Sequence, residues 1–584
     1  MIRQFTADFE TNVYEEDCRV WAYALCEIGD TDNFIYGNSM DDFMEWCASP
    51  VYNYKLYFHN LKYDGEYIIS WLLSNGFEHI DNKKDRRTHT FTTLVTDMGV
   101  FYSIEIYFKV KGHHTNKVTI QDSLKILNFS VDKIAKDFGL PISKLSIDYR
   151  EFREKGHQLT QQEIDYIRND VTIVALGLEK MFAEGLNKMT IGSDAMSDFK
   201  SRCKRFRSVF PLLKLPIDHE IRQSYKGGFT YLNPVWEEKE TGSGIVFDVN
   251  SMYPAKMRYE MLPFGTPMQF EGKYEYDPVR PLYVQKLTCV FDIKKGKIPS
   301  IQIKNSMSFM PNKYIETSNG ELVTLTLCSP DLELFFNHYD VKYITWHGGW
   351  KFMATTGLFT SYIEYWTNKK IQSKKDGNKS MYAISKLMLN SLYGKFGLNP
   401  VGRKKTPYID EEGIVKYAIG EKEERKPVYI PVATFITAYA RKYIIESSQA
   451  IRDYSLKKYG VDCYVYSDTD SIHCLLSEDD VKELSKILEI DDYKLGAWKL
   501  ESKFIRGKYL HQKCYIEQDY NGDVNVTVAG LPKKLSSLVN FDNFKKGFST
   551  ADLPAEDIAK TGKKLIYKHV KGGVLLVETD FTIK

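Results

Sequence analysis

Three apolar stretches stand out along the chain, two of them interrupted by acids. In "YVYSDTDSIHCLL", Tyr464 to Leu476, Asp468 and Asp470 stand one residue apart inside an aromatic and β-branched run. If the strand stays extended both carboxylates project to one side; if "SDTDS" is a hairpin turn between "CYVY" and "SIHCLL" they flank its tip. In "GIVFDVNSMYPAKM" the apolar strand Ile245 to Phe247 delivers Asp248 at its end, and Pro254 stops any strand beyond it. In "SKLMLNSLYGKFG" the residues Leu387, Met388, Leu389 and Leu392 recur roughly at helical spacing, while Lys386, Asn390 and Tyr393 follow at intervals of four and three along a neighbouring face.

The first third of the chain carries a second, independent set of acids. "TADFETN" gives Asp8 and Glu10, "YFHNLKYDGEYI" gives Asp64, and "IDYIRNDVTIV" gives Tyr166 and Asp170. Thr160 with Glu163 forms a capping box, which predicts a helix starting there with Tyr166 and Asp170 on one face.

Composition narrows the setting. With 584 residues, 43% of them hydrophobic and 27% charged, the chain can bury several cores, so we expect about three to four domains. No apolar run reaches the roughly 18 residues of a membrane span, and acids occupy the start where a signal peptide is apolar, so a soluble cytoplasmic protein without a membrane partner is expected. Nine scattered cysteines with no CxxC pair fit reduced thiols and give no sign of zinc. A net charge of +2 neither demands nor excludes nucleic acid.

Two carboxylates side by side repel unless a cation sits between them, and hard oxygen ligands suit Mg²⁺. Each stretch alone has a plainer explanation: a hairpin turn, a helix-capping acid, an amphipathic helix with a solvated lysine. Their order is more specific. "DVNSMYP", "KLMLNSLYG" and "YSDTDS" resemble the three polymerase motifs of family B DNA polymerases, and the earlier acids resemble, in order, the three exonuclease motifs of their proofreading domains. Further local matches, "SYKGGFTYLN", "FITAYAR" and "HQKCYI", narrow the resemblance to the protein-primed polymerases of small tailed phages of the phi-twenty-nine type, over nearly the whole chain.

The resemblance implies a mixed α/β and α+β multidomain fold: a ribonuclease-H-like exonuclease domain (1–190), and a right hand made of palm (191–260 and 429–529), fingers (359–397) and thumb (530–584), with insertions at 261–358, contacting a terminal protein, and 398–428, encircling DNA. It implies two Mg²⁺ ions per active site, with Mn²⁺ able to substitute. In the polymerase site these are held by Asp248, Asp470 and the Val249 carbonyl, with Asp468 as supporting acid; Lys386 and Lys370 face the triphosphate, beside Asn390 and Thr469. Tyr253 excludes a 2′ hydroxyl and Tyr393 packs on the nascent pair. In the exonuclease, Asp8, Glu10, Asp64 and Asp170 hold the metals, Tyr166 positions water and Lys144 assists, while Thr11, His59, Asn60, Tyr63, Ser123 and Leu124 grip single-stranded DNA. Tyr225, Gly227, Gly228, Thr437, Arg441, Lys513 and Tyr515 contact primer-template.

The implied activity is protein-primed, processive, strand-displacing DNA synthesis with 3′ to 5′ proofreading. Its partners are template-primer, dNTPs and a terminal protein, and the enzyme works as a monomer in the cytoplasm of an infected bacterium. The rivals are a polymerase using nucleic-acid primers and an exonuclease with a non-catalytic DNA-binding half. Two departures stand out: Tyr382 occupies a place where relatives often carry a lysine, one turn before Lys386, and "YSLKKYGVDC" (454–463) is longer, a surface extension by expectation.

Overall fold

The computed structural model describes residues 2–12, 14–112, 114–148, 151–303 and 313–584. Its N-terminal part is an eight-stranded mixed sheet whose central strand, Ile2–Thr11, runs antiparallel to Val20–Glu27 and parallel to Asn53–Phe58. The alternation that buries Phe5, Ala7 and Phe9 on one face of that strand sends Asp8 and Glu10 to the other. The helices Leu61–Ser74 and Gln161–Ala183 pack on the sheet, the second opening with the expected Thr160–Glu163 capping box.

A five-stranded antiparallel sheet sits in the second half, in the order Trp498–Phe504, Gly244–Val249, Ser471–Cys474, Tyr464–Asp468, Thr230–Leu232. Strands far apart in sequence become neighbours here, placing Asp248 opposite Ser471. The sheet is backed by a 30-residue helix, Ile430–Tyr459, whose Ile444, Ile445 and Ile451 share one core with Ile245, Phe247, Ile472 and Trp498. That helix runs through most of 454–463 and is capped by Gly460 at φ +70°, a left-handed position that suits glycine. The segment is therefore no separate surface extension. Ser455 is buried and accepts from the Cys463 amide at 3.0 Å, and Lys458 and Tyr459 grip Asp480 at 2.8 and 2.6 Å.

Residues 261–358 build a four-stranded sheet around the long strand Tyr339–Thr355, with the helix Ser329–His338 against it. The helices Thr360–Lys375 and Lys379–Ser391 pair side by side, joined by a tight turn. The charged stretch 398–428 folds as a hairpin, Lys405–Ile409 against Val415–Ile419, with a second short pair beside it. Its Tyr417 hydroxyl donates to Glu66 at 2.7 Å, and Ile414 bridges to Lys571 in the C-terminal hairpin Lys564–Thr579. That hairpin in turn accepts a hydrogen bond from Tyr67 at the Val574 carbonyl, 2.6 Å. The N-terminal unit, the charged hairpin and the C-terminal hairpin thus touch pairwise. All nine cysteines are free, and no helix among the described residues is long and apolar enough to cross a membrane.

Candidate active sites

In the palm-like sheet the "SDTDS" stretch is a hairpin tip, so the two aspartates diverge. Thr469 sits at φ +61°, and the Asp470 amide donates to the Asp468 carbonyl at 2.6 Å. Two backbone bonds anchor the tip: the Thr469 amide to the Phe229 carbonyl (2.7 Å) and the Val249 amide to the Asp470 carbonyl (2.8 Å). Asp468 turns to Lys513, whose Nζ lies 2.9 and 3.0 Å from its oxygens, and also accepts from Thr230 at 3.3 Å and Tyr466 at 3.2 Å. Asp470 instead faces Asp248. Burial first, then Asp470 and Glu501, push the Asp248 carboxyl up to about 7 against the pull of Lys499, 3.5 Å away. Burial and then Asp468 raise Asp470 as well.

Lys499 and Glu501 were not picked out in the sequence. They lie on one face of the neighbouring strand, paired to each other at 2.9 Å, with Lys499 in register with Asp248. Their alternation in "WKLESKF" is visible in the sequence, but the register that brings them to Asp248 is not.

Across from the acids, Lys386 and Asn390 lie on the helix Lys379–Ser391 and Tyr393 opens the next helical turn. Tyr393 stacks on Tyr253, centroids 4.1 Å apart and planes at 25°. Lys370 on the preceding helix is pushed down by burial and then by Lys386, Lys374 and Lys499, so these lysines share one field next to Asp248. Gly228 packs against the hairpin tip: a Cβ there would lie 2.9 Å from Thr469 Cγ2. Gly227 borders open space, and Tyr225 abuts Gly397. Tyr515 stacks on Tyr509 at 5.5 Å, next to the turn that carries Lys513.

Two residues expected at DNA lie elsewhere. Arg441 is buried, and its guanidinium is consumed by Asp331 (2.5 and 3.1 Å) and by the carbonyls of Lys226 (2.7 Å) and Gly227 (2.8 Å). It clasps the glycine loop from behind. Thr437 is buried one turn earlier, its hydroxyl donating to the Ala433 carbonyl at 3.0 Å within the helix.

In the N-terminal unit, Asp8, Glu10, Asp64 and Asp170 converge from one strand and two helices. Burial first, then Asp170, push Asp8 up to about 7; burial and then Asp8 raise both Glu10 and Asp64. Asp170 is raised by burial, opposed by Lys144 at 2.5 Å and by Tyr166. Asp64 Oδ1 and Asp170 Oδ1 are buried without a hydrogen-bond partner. Orphaned carboxylate oxygens in a mutually repelling set fit a hard divalent cation. Among the described residues no three His, Cys, Asp or Glu side chains gather tightly enough to hold an ion unaided.

Beside these acids, Thr11 and Tyr63 hydroxyls meet at 2.5 Å, and the amides of Asn60 and Leu124 both donate to Asp122, at 3.1 and 3.0 Å. His59 lies 3.0 Å from the Ser123 hydroxyl and 2.7 Å from the Phe129 carbonyl. Ser123 is fully buried and also bonds the Phe58 carbonyl, so it orients His59 and does not itself face a strand. The Phe129 carbonyl that holds His59 was not picked out in the sequence, because a backbone acceptor leaves no residue-type signal.

Residues 50–157 and 147–483 match the family model of DNA polymerase type B, organellar and viral. The chain is 43% identical to the DNA polymerase of Bacillus phage phi29, across 100% of this chain and 99% of that one, and 32% identical to the DNA polymerase of Streptococcus phage Cp-1, across 99% and 98%. It superposes on phi29 DNA polymerase complexed with primer-template DNA and incoming nucleotides at a TM-score of 0.89, with 42% identity and both chains fully covered; on the orthorhombic crystal form the score is 0.91. The fold is therefore an exonuclease domain joined to a palm, fingers and thumb, and the chain belongs to the type B DNA polymerases of viruses and organelles, in the phi29-like phage branch.

Proposed function

We propose that this DNA polymerase extends a template-primer by nucleotidyl transfer at Asp248 and Asp470 and proofreads at Asp8, Glu10, Asp64 and Asp170. The observation that carries the reading is that the strand register sets Asp248 opposite Ser471, next to Asp470 at the hairpin tip, so that Asp470 raises the Asp248 carboxyl, with Lys370 and Lys386 sharing the field of Lys499 beside it. Two Mg²⁺ ions, or Mn²⁺ in their place, would supply charge neutralisation and activation of the primer hydroxyl there, held by Asp248, Asp470 and the Val249 carbonyl. Asp468, tied to Lys513, is the supporting acid. Lys386 and Lys370 neutralise the incoming triphosphate, with Asn390 and Thr469 beside it. Tyr253, fixed by its stack on Tyr393, closes the space a 2′ hydroxyl needs.

In the exonuclease the acids hold the ions, Tyr166 orients the attacking water, and Lys144 sets Asp170. Thr11, His59, Asn60, Tyr63 and Leu124 line the strand's path, as Tyr225, Gly227, Gly228, Lys513 and Tyr515 do for the primer. The complexes of phi29 DNA polymerase with primer-template DNA and incoming nucleotides support the same ligands here. Initiation on a terminal protein docked at 261–358, by a monomer in the cytoplasm of an infected bacterium, completes the proposal. The pairwise contacts of the charged hairpin with the exonuclease and thumb support strand displacement as part of this reading.

The test is extension of a labelled primer on a single-stranded circle by the Asp8→Ala chain with Mg²⁺ and dNTPs, without helicase or clamp. Products longer than one circle support displacement. Products ending at one circle overturn displacement alone, and no extension overturns the palm assignment. Transfer of dAMP to a hydroxyl side chain of a candidate terminal protein tests the priming mode.

A further inference from the structure

The loop between the two fingers helices and the start of the second helix form one wall of a cavity of about 750 Å³. Lys374, Lys379 and Lys386 line it, together with Tyr382 and Asn390. Among the described residues none of these three lysines forms an ion pair. The helix Lys379–Ser391 begins in this wall with no acid in its first turn, so its positive end adds to the lysines uncompensated. The opposite wall belongs to the exonuclease: Phe129, Lys133 and Lys136. Those two lysines are already answered by Asp137 at 3.0 Å and Asp132 at 2.8 Å. The net positive field therefore comes from the fingers side. It is continuous with the catalytic centre, because Lys374 and Lys386 both depress Lys370, which also feels Lys499 beside Asp248.

We propose that this cavity is an entry site for the incoming nucleoside triphosphate, in which Lys374 and Lys379 take the phosphates before Lys386 and Lys370 do, supplying charge that Tyr382 lacks. Three unpaired lysines around one volume suit the clustered charge of a triphosphate better than the evenly spaced phosphates of a strand, and the volume lies in the range of small-ligand pockets. Phe129 and Tyr382 offer flat faces for the base. The inference rests on the triphosphate role proposed for Lys386 and adds two residues that carry no motif.

Single-nucleotide incorporation on a primer-template by the full chain tests it. The Lys374→Gln, Lys379→Gln double variant should raise KM for dNTP roughly three- to tenfold with kcat nearly unchanged, as loss of exposed ionic contacts predicts. Inhibition by inorganic triphosphate should weaken by a similar factor, and adding Tyr382→Lys should restore KM. An unchanged KM overturns the proposal. So does a fall in single-strand exonuclease rate with KM intact, which would assign the cavity to a DNA strand. Lys386→Gln run in parallel separates the failures: if it alone raises KM, only the entry site is wrong, and if neither variant does, the triphosphate role of Lys386 falls too.

Discussion

In the exonuclease site Lys144 pulls on Asp8, Glu10 and Asp170, His59 adds a weaker pull on Asp170, and burial and the repulsion among the carboxylates raise the set. In the palm the acids are partly shared out to separate lysines: Lys513 holds Asp468 and Lys499 stands by Asp248. The exonuclease acids come from a strand and two helices locked in a core; the palm acids come from a strand end and a hairpin tip. Lys513 is half exposed on a turn at φ +57°, within reach of competing phosphates. The contrast is between a buried acid set raised mainly by its own repulsion and a palm set in which Asp468 and Asp248 each have a lysine neighbour of their own.

The largest effects should show that the two sets are independent. Asp470→Asn is expected to lower synthesis about a thousandfold or more, the loss of several kcal/mol of charge stabilisation, and to leave single-strand degradation within about twofold. Asp64→Asn should do the reverse. Paired primer-extension and exonuclease assays read both, and one substitution abolishing both activities in a folded protein would end the two-site account.

Arg441→Ala sharpens the contrast from the palm side. It leaves Asp331, largely but not fully buried, with only the Cys328 thiol as a donor and releases the Lys226 and Gly227 carbonyls, at a cost of about 3 kcal/mol. Denaturant unfolding should show it, with Arg441→Lys recovering little because lysine lacks the planar fork. Wild-type stability would mean that the glycine loop is held by other contacts.

Gly228→Ala acts next, and more locally. Its Cβ would press on Thr469 at 2.9 Å and shift the tip between Asp468 and Asp470. Overpacking of this size costs about 1–3 kcal/mol, so synthesis should fall roughly tenfold or more while exonuclease is spared. Thr469→Gly in the same chain removes the clash and suits φ +61°, so it should recover much of the loss.

How much of this was legible follows from the range of each signal. The Thr160–Glu163 box, the strand ending at Asp248 and the Lys386 helix are local patterns, and each appears where the sequence puts it. Motif order brought the acids together without any coordinates. What local pattern cannot carry is direction and register. Ser123, Thr437 and Arg441 sit in the right motifs, yet their side chains point into the protein. Lys499 and Glu501 reach Asp248 only through a strand pairing about 250 positions apart in sequence. The segment 454–463 reads as a surface extension, but most of it is the end of a long helix capped by Gly460.

The smallest expected effect bears on what the buried site shares with the rest of the molecule. Glu66 stands two residues from Asp64 on the same helix, buried, and its two oxygens take the Tyr417 hydroxyl at 2.7 Å and the His569 ring at 3.1 Å. One carboxylate thus ties the charged hairpin and the thumb to the exonuclease helix. Tyr417→Phe keeps the ring packed and deletes one hydrogen bond, leaving a buried carboxylate oxygen short of a donor at a cost of about 1–3 kcal/mol. Most of that cost falls on the contact between hairpin and exonuclease, not on either set of acids. Extension up to one circle and single-strand degradation should therefore stay near wild type, while products longer than one circle shorten. Displacement products of unchanged length would show that this contact does not hold the hairpin in place during synthesis, and a fall in degradation instead would mean that the Glu66 bond serves Asp64 through their common helix.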